Sequence, residues 1–308
     1  MYTLSHLLEE KAKKNTNKPF LLYEESVITY EEFNRTTEKL VNGLLDLGVR
    51  QGNGIAVMMG NSPEFLYLFF AIQKIGAYFV PVNTSLKRDG LAYILKHSDV
   101  SFFCTDAEIV DRYIDIRDKL NDLKYVIING ERDDIKSCMP ADVVFFSELF
   151  KCQDKKYKNK VNKRNLSTII YTSGTTGLPK GVVKRYNSYN WKYLNKRSKS
   201  LRNEVLYTCL PLFHGNALRL TVVRGLLGDA TVALSKRFSA SKFWDEIKKY
   251  SATSFNALGA MIPILMKQPE KEDDSDNTVK TVISAACPPE IIENFERRFN
   301  LKVIESYG

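Results

Sequence analysis

Apolar residues recur along this chain in two alternating rhythms, period 3.6 and short β-rich runs, and together they predict an α/β protein. Leu4, Leu7, Leu8 and Ala12 fall at helical spacing and predict an amphipathic helix from Thr3 to Lys14. Phe20 to Tyr23 and Val27 to Tyr30 predict paired strands around Glu24-Glu25-Ser26. Tyr30 to Leu47 reads as a helix, with Gly48 placed to close it as a C′ glycine. Ile55 to Met59 is a strand entered by the turn Gly52-Asn53-Gly54. Asn61-Ser62-Pro63-Glu64 then starts a helix: a capping side chain, a first-turn proline, and an acid at the positive end of the dipole. That helix, Pro63 to Ile75, is apolar nearly all round, which predicts burial, and Gly76 ends it.

The alternation continues with strands at Tyr78 to Pro81, Ser101 to Thr105 and Lys124 to Ile128, and helices at Leu91 to His97 and Ala107 to Leu120. His97 sits at a helix end, where it suits the dipole better than it suits a ligand role. Lys151 to Arg164 carries seven basic residues and one acid with almost no apolar content, and reads as a linker. After a strand at Leu166 to Tyr171, further strands are predicted at Val205 to Leu210, Ala230 to Leu234, Thr253 to Asn256, Val279 to Ala285 and Lys302 to Glu305. Helices are predicted at Ala217 to Leu227, Ala240 to Tyr250, Ala260 to Lys267 and Pro289 to Phe299. The expected fold class is α/β, with two packed, mostly parallel α/β sub-regions of approximately residues 1–160 and 161–308.

Composition narrows the partners. With Lys+Arg 45 against Asp+Glu 36, the net charge is +9, which favours anionic small molecules or headgroups. The charge is spread along the chain, so no nucleic-acid partner is expected. Cys104, Cys138, Cys152, Cys209 and Cys287 are scattered and odd in number, which suits a reducing cytoplasm. The N-terminus enters its first amphipathic pattern directly, without a signal peptide, and the longest apolar runs are too short for a transmembrane segment.

The chemistry concentrates at Tyr171-Thr172-Ser173-Gly174-Thr175-Thr176-Gly177-Leu178-Pro179-Lys180-Gly181-Val182. The ten residues after Tyr171 hold three glycines, one proline, four hydroxyls and one lysine. Such a stretch packs no core, but its unobstructed N–H groups, hydroxyl donors and point charge can fold round an anion. A Walker A loop is excluded: Gly174 and Gly177 are too close, and Lys180 is followed by Gly181 rather than a hydroxyl. The dinucleotide pattern G-x-G-x-x-G is absent too. Pro179 argues against direct entry into a helix.

Two further stretches follow predicted strands, where open parallel sheets bind ligands. Leu210-Pro211-Leu212-Phe213-His214-Gly215 offers His214 to orient a carboxylate, to gate a pocket, or to cap the next helix. Phe255-Asn256-Ala257-Leu258-Gly259 has the small residues that leave room for a ligand or start a helix.

The loop resembles the signature of the adenylate-forming superfamily, which includes acyl-CoA synthetases, luciferases and peptide-synthetase adenylation domains. The match to Y-T-S-G-T-T-G-x-P-K-G is complete over eleven positions. The resemblance implies that Thr172, Ser173, Gly174, Thr175, Thr176, Gly177 and Lys180 hold ATP, with Thr172 beside Mg²⁺ and Lys180 catalytic. Leu210 to His214 matches the superfamily stretch that faces the acyl group, which makes Phe213 and His214 substrate residues and His214 catalytic. Peptide-synthetase domains place an aspartate there, so His214 argues against an amino-acid substrate. Asn256, Leu258 and Gly259 are implied to line the acyl pocket. Ser284-Ala285-Ala286-Cys287-Pro288-Pro289 resembles the turn beside the adenine, with Ala285, Ala286 and Cys287 as nucleotide contacts and Cys287 a wall residue.

Ser306-Tyr307-Gly308 resembles the start of the aromatic-Gly-x-Thr-Glu motif, which makes Tyr307 an adenine-stacking ring and Gly308 a substrate neighbour. The motif's Thr and Glu, a ribose-binding acid and a lid lysine are expected beyond it. The chain is therefore expected to be an N-terminal fragment, cut before the β-barrel part and C-terminal domain, and inactive by itself. Surface left uncovered favours a homodimer. Pro63-Glu64-Phe65 and Met261-Ile262-Pro263 resemble the crotonobetaine/carnitine-CoA ligase branch. The implied reaction joins a small carboxylic acid to CoA, as co-substrate, through an acyl-adenylate. Loading of a carrier protein, or nucleotide binding without catalysis, are the alternatives.

Overall fold

The computed structural model describes the chain apart from residue 1, residues 132, 134, 136–141, 153–156, 158–160 and 173–176, and residues 307–308. Among the described residues fourteen strands follow in order: β1 (Pro19–Tyr23), β2 (Ser26–Thr29), β3 (Gly54–Met58), β4 (Tyr78–Pro81), β5 (Val100–Asp106), β6 (Tyr125–Asn129) and β7 (Val143–Phe145). Then come β8 (Leu166–Thr172), β9 (Lys180–Arg185), β10 (Val205–Thr208), β11 (Thr231–Leu234), β12 (Ser254–Leu258), β13 (Thr281–Ala285) and β14 (Lys302–Glu305). They form two seven-stranded sheets, in the orders β7-β6-β5-β3-β4-β8-β9 and β14-β13-β12-β10-β11-β1-β2. Each sheet is parallel except for one hairpin at its edge, β8–β9 in the first and β1–β2 in the second. The expected α/β class with two mostly parallel sheets is what the chain adopts.

The chain splits into two compact units, Met1–Lys14 with Glu31–Lys196, and Asn15–Tyr30 with Arg197–Gly308. This corrects the expected division near residue 160. The basic stretch does not separate the sheets, because β8 and β9 return to the first one. The early hairpin, in turn, leaves the first unit for the second.

The first unit is built round the helix Pro63–Ile75, whose Ser62 side chain accepts the Phe65 N–H and whose Gly76 closes it at φ 83°. Twelve of its thirteen residues are buried, as a helix apolar on all sides requires. Lys74, on this helix, is 7% exposed and reaches Glu9 at 2.6 Å and Glu38 at 2.8 Å. A buried ammonium needs such partners.

In the second unit β1 lies parallel to β11, with Leu21 opposite Val232 and Leu22 opposite Ala233. Phe20 and Leu21 are fully buried. The Tyr30 hydroxyl donates to the Ala230 carbonyl at 2.6 Å, and the Asn15 amide donates to Asp229 at 2.8 Å.

The structure departs from the sequence pattern at several elements. Ala107 to Leu120 is a broken series, with 3₁₀ turns at Ala107–Ile109 and Arg117–Lys119 around a short helix Asp111–Ile114. Its β-branched residues, Ile109, Val110, Ile114 and Ile116, crowd a continuous helix. The strands β7 and β9 and the helix Trp191–Arg197 were not expected. The side chains of β9 and of the helix are largely exposed and carry little periodic signal, while β7, with Phe145 buried, is only three residues long.

Candidate functional site

The phosphate-loop candidate spans the turn of the β8–β9 hairpin, whose ladder pairs Tyr171 with Gly181 and Thr172 with Lys180. Thr172 therefore ends one strand and Lys180 begins the next, both exposed. Pro179 leads into a strand and not a helix. Gly177 sits at φ 145°, a conformation strained for any side chain. Ser173, Gly174, Thr175 and Thr176 lie outside the described residues.

The flanks of this loop are tied to the helix Arg88–His97. The Tyr93 hydroxyl donates to the Pro179 carbonyl at 3.1 Å, after the loop. His97 Nδ1 and the Tyr171 hydroxyl share a hydrogen bond of 2.7 Å, before it. The Tyr93 and His97 rings stack at 5.0 Å. Burial pushes the Tyr171 phenol up to about 12, so it stays a neutral hydrogen-bonding group at physiological pH. Sequence reasoning missed Tyr93 and treated His97 as a helix-end residue. The i, i+4 spacing of two rings ahead of the loop was the available signal.

The remaining candidates stand in the second unit, at the carboxyl ends of parallel strands. Past β10, Leu210 and Leu212 are buried, while His214 is exposed and its ring lies 4.5 Å from that of Phe213. The His214 backbone N–H closes a turn onto the Pro211 carbonyl at 3.1 Å. Desolvation lowers the His214 pKa below the ordinary 6.5, which leaves the imidazole neutral at pH 7.

At the end of β12, Asn256 and Ala257 are buried and Leu258 is 37% exposed. The last rungs of β12 and β13 pair Ala257 with Ser284 and Leu258 with Ala285. Ala286 follows at φ 62°, a left-handed conformation that alanine adopts only under constraint. The Cys287 N–H donates to Glu305 on β14 at 2.9 Å. The Cys287 thiol is buried, and desolvation with Glu305 and Glu290 raises its pKa, which opposes a nucleophilic thiolate. Ser284, absent from the expected site residues, has a buried hydroxyl with no hydrogen-bond partner among the described residues. Tyr307 and Gly308 lie outside the described residues.

The turns after β12 and β13 touch closely. A Cβ at Gly259 would stand 2.1 Å from the Ala286 carbonyl oxygen and 3.0 Å from its carbon. Backbone cannot yield as a flexible side chain can. Gly259→Ala is therefore expected to destabilise the second unit by about 1–3 kcal/mol, read as a lowered midpoint in denaturant unfolding. An unchanged midpoint would show that the two turns separate freely.

Two mostly parallel sheets, a glycine- and hydroxyl-rich loop carrying a lysine, and a row of small residues at strand ends define an α/β nucleotide-binding enzyme architecture. The chain belongs to the AMP-binding enzyme family, whose match runs over residues 8–308. It is 31% identical over 288 residues to the crotonobetaine/carnitine–CoA ligase of Salmonella agona, covering 91% of this chain and 54% of that protein. It is 28% identical over 314 residues to long-chain fatty acid transport protein 2 of Rattus norvegicus, covering 99% of this chain and 50% of that one. The chain thus spans about half the length of the curated relatives it matches.

Among solved structures, an anthranilate CoA ligase in complex with anthranoyl-AMP superposes with a TM-score of 0.88 at 20% identity, over 100% of this chain and 60% of that one. A putative long-chain-fatty-acid CoA ligase from Rhodopseudomonas palustris gives 0.85 at 20% identity, over 100% of this chain and 75% of that one. Both likenesses concern the fold. Among the described residues, no helix is long and apolar enough to cross a membrane.

Proposed function

We propose that the protein is an AMP-forming acyl-CoA ligase. It activates a carboxylic acid with ATP as an acyl-adenylate, releasing pyrophosphate, and passes the acyl group to the thiol of CoA. The single observation that carries this is the complete loop pattern Tyr171–Gly181 within a chain that matches the AMP-binding enzyme family over residues 8–308. The 31% identity to a crotonobetaine/carnitine–CoA ligase supports CoA as the acceptor.

In this proposal the loop from Thr172 to Thr176 and Lys180 hold the β- and γ-phosphates, where hydroxyls, N–H groups and one ammonium meet growing negative charge. Thr172 offers a hard oxygen donor suited to Mg²⁺, which binds largely through substrate phosphates. When bound, Mg²⁺ neutralises charge on the phosphate oxygens. Among the described residues, no group of three or more His, Cys, Asp or Glu side chains could cage a metal ion. Ala285, Ala286 and Cys287 form a wall for the adenylate. Phe213, Leu258 and Gly259 line the acyl group, and neutral His214 orients its carboxylate.

The test is ATP–pyrophosphate exchange by the full-length protein across a panel of carboxylic acids, followed by loss of free CoA thiol. Exchange is expected with acids that lack an α-amino group, because His214 brings no carboxylate to pair with an ammonium. Exchange with amino acids alone would overturn the substrate class. Acyl release only onto a carrier protein would overturn the CoA step.

A further inference from the structure

The helix that starts at Gly215, just past Phe213 and His214, changes register within its first turn. Gly215 and Asn216 are α, Ala217–Val223 is a π-helix, and Arg224–Gly228 continues as an α-helix. The Arg224 N–H is shared between the Arg219 carbonyl, five residues back as in a π-helix, and the Thr221 carbonyl, three residues back. Such segments are rare and recur at functional sites. Something must keep this one from relaxing into the commoner α register.

Asn256 is placed to do so. It lies on β12, is 3% exposed, and has both ends of its carboxamide engaged. The Thr221 hydroxyl donates to Asn256 Oδ1 at 2.9 Å, and Asn256 Nδ2 donates to Asn216 Oδ1. Thr221 is itself buried, at 2% exposure. Asn216 and Thr221 are five residues apart. In a π-helix that spacing closes one hydrogen-bonded turn, so the two side chains share a face. In an α-helix of 3.6 residues per turn they would diverge by about 140°. The carboxamide bridges them across the step where the α register of Asn216 gives way to the π segment.

We infer that Asn256 is a positioning residue that selects the π register of residues 217–223 and thereby sets the stance of Phe213 and His214. Reversion to the α register would remove one residue from the turn. That rotates the preceding segment by about 100°, the angle of one residue in an α-helix. His214 would leave its place, while the phosphate loop, in the other unit, would keep its own. The buried carboxamide then serves the acid indirectly, through the groups it holds.

The register itself stands on geometry alone, and its consequence for catalysis rests on the acyl-ligase proposal. The experiment therefore has two arms, on Asn256→Leu and Thr221→Val. The first arm needs no activity. The chain has only three histidines, so ring-labelled histidine gives three NMR signals. Both variants are expected to move the His214 signal and leave His6 and His97 in place. The second arm is kinetic: KM for the acid should rise about tenfold, the loss of one buried hydrogen bond, with KM for ATP unchanged.

A His214 signal unmoved by Thr221→Val would overturn the inference, and that gentler variant decides the matter if Asn256→Leu does not fold. Movement of all three histidine signals together would also overturn it, since that reports general loss of packing. A raised KM for ATP with an unchanged KM for the acid would do the same. If the unaltered protein exchanges pyrophosphate with no acid, the ligase proposal fails, while a selective His214 shift still upholds the clamp.

Discussion

Replacing Lys180 with alanine is expected to slow ATP–pyrophosphate exchange by about 100-fold, the usual loss when one positioned charge-stabilising donor is removed. Lys180 is the first residue of β9 and the ladder partner of Thr172, so its backbone is fixed by a strand while its side chain is exposed. An ammonium on a flexible stem, anchored at its root, can follow the phosphoryl oxygens as charge builds on them. The interaction grows in the transition state, so the loss should fall on kcat while KM for the acid stays within about twofold. Lys180→Arg should recover only part of the rate, since a planar fork does not replace a point charge. The measurement is exchange at saturating acid with ATP varied. A fall below about threefold would mean that the loop does not meet the transferred charge, and the assignment of Thr172 beside it would fall too.

The second large effect concerns Phe20. Phe20→Ala is expected to cost the second unit about 3–5 kcal/mol, as large core truncations do, against a typical total of about 5–15 kcal/mol for a domain. Phe20 is fully buried on β1, with its ring 4.7 Å from that of Tyr30. Although β1 begins at Pro19, it lies against β11, so the damage should appear far along the chain. Hydrogen exchange should show lost protection in β1, β11 and β10, with β3 to β6 keeping theirs. Lost protection confined to β3 to β6 would refute the assignment of the hairpin to the second sheet. A change under about 1 kcal/mol would show that β1 contributes no core.

The same hairpin marks the limit of what sequence patterns carry. Phe20-Leu21-Leu22-Tyr23 announces a strand by its own composition, because β-rich apolar residues between turn signals are a local property. Which strand it joins depends on the register of Leu21 with Val232, far along the chain, and no local period encodes that. The boundary misplaced at the basic stretch has the same origin. A run of solvated lysines looks like a linker whether or not the next strand returns to the first sheet.

The site divides similarly. The glycines, hydroxyls and lysine of Tyr171 to Gly181 were legible because anion-binding chemistry needs those residue types in a short span. The helix Pro63–Ile75 was legible to the residue, since its cap, its proline and its closing glycine are each local signals. Tyr93 and His97, which tie down both flanks of the loop, were not: their partners lie far along the chain, and exposed rings on a helix have many ordinary uses. Asn256 stood in the sequence as an expected pocket residue, and its bridge to Asn216 and Thr221 exists only in the folded chain. By itself, the sequence determined the class of fold, the order of most elements and the family signature of the loop, all of which follow from local propensity and residue type. Tertiary structure alone decided sheet membership, the π register beside His214 and the turn strained at Ala286, because each depends on which distant backbone a residue is packed against.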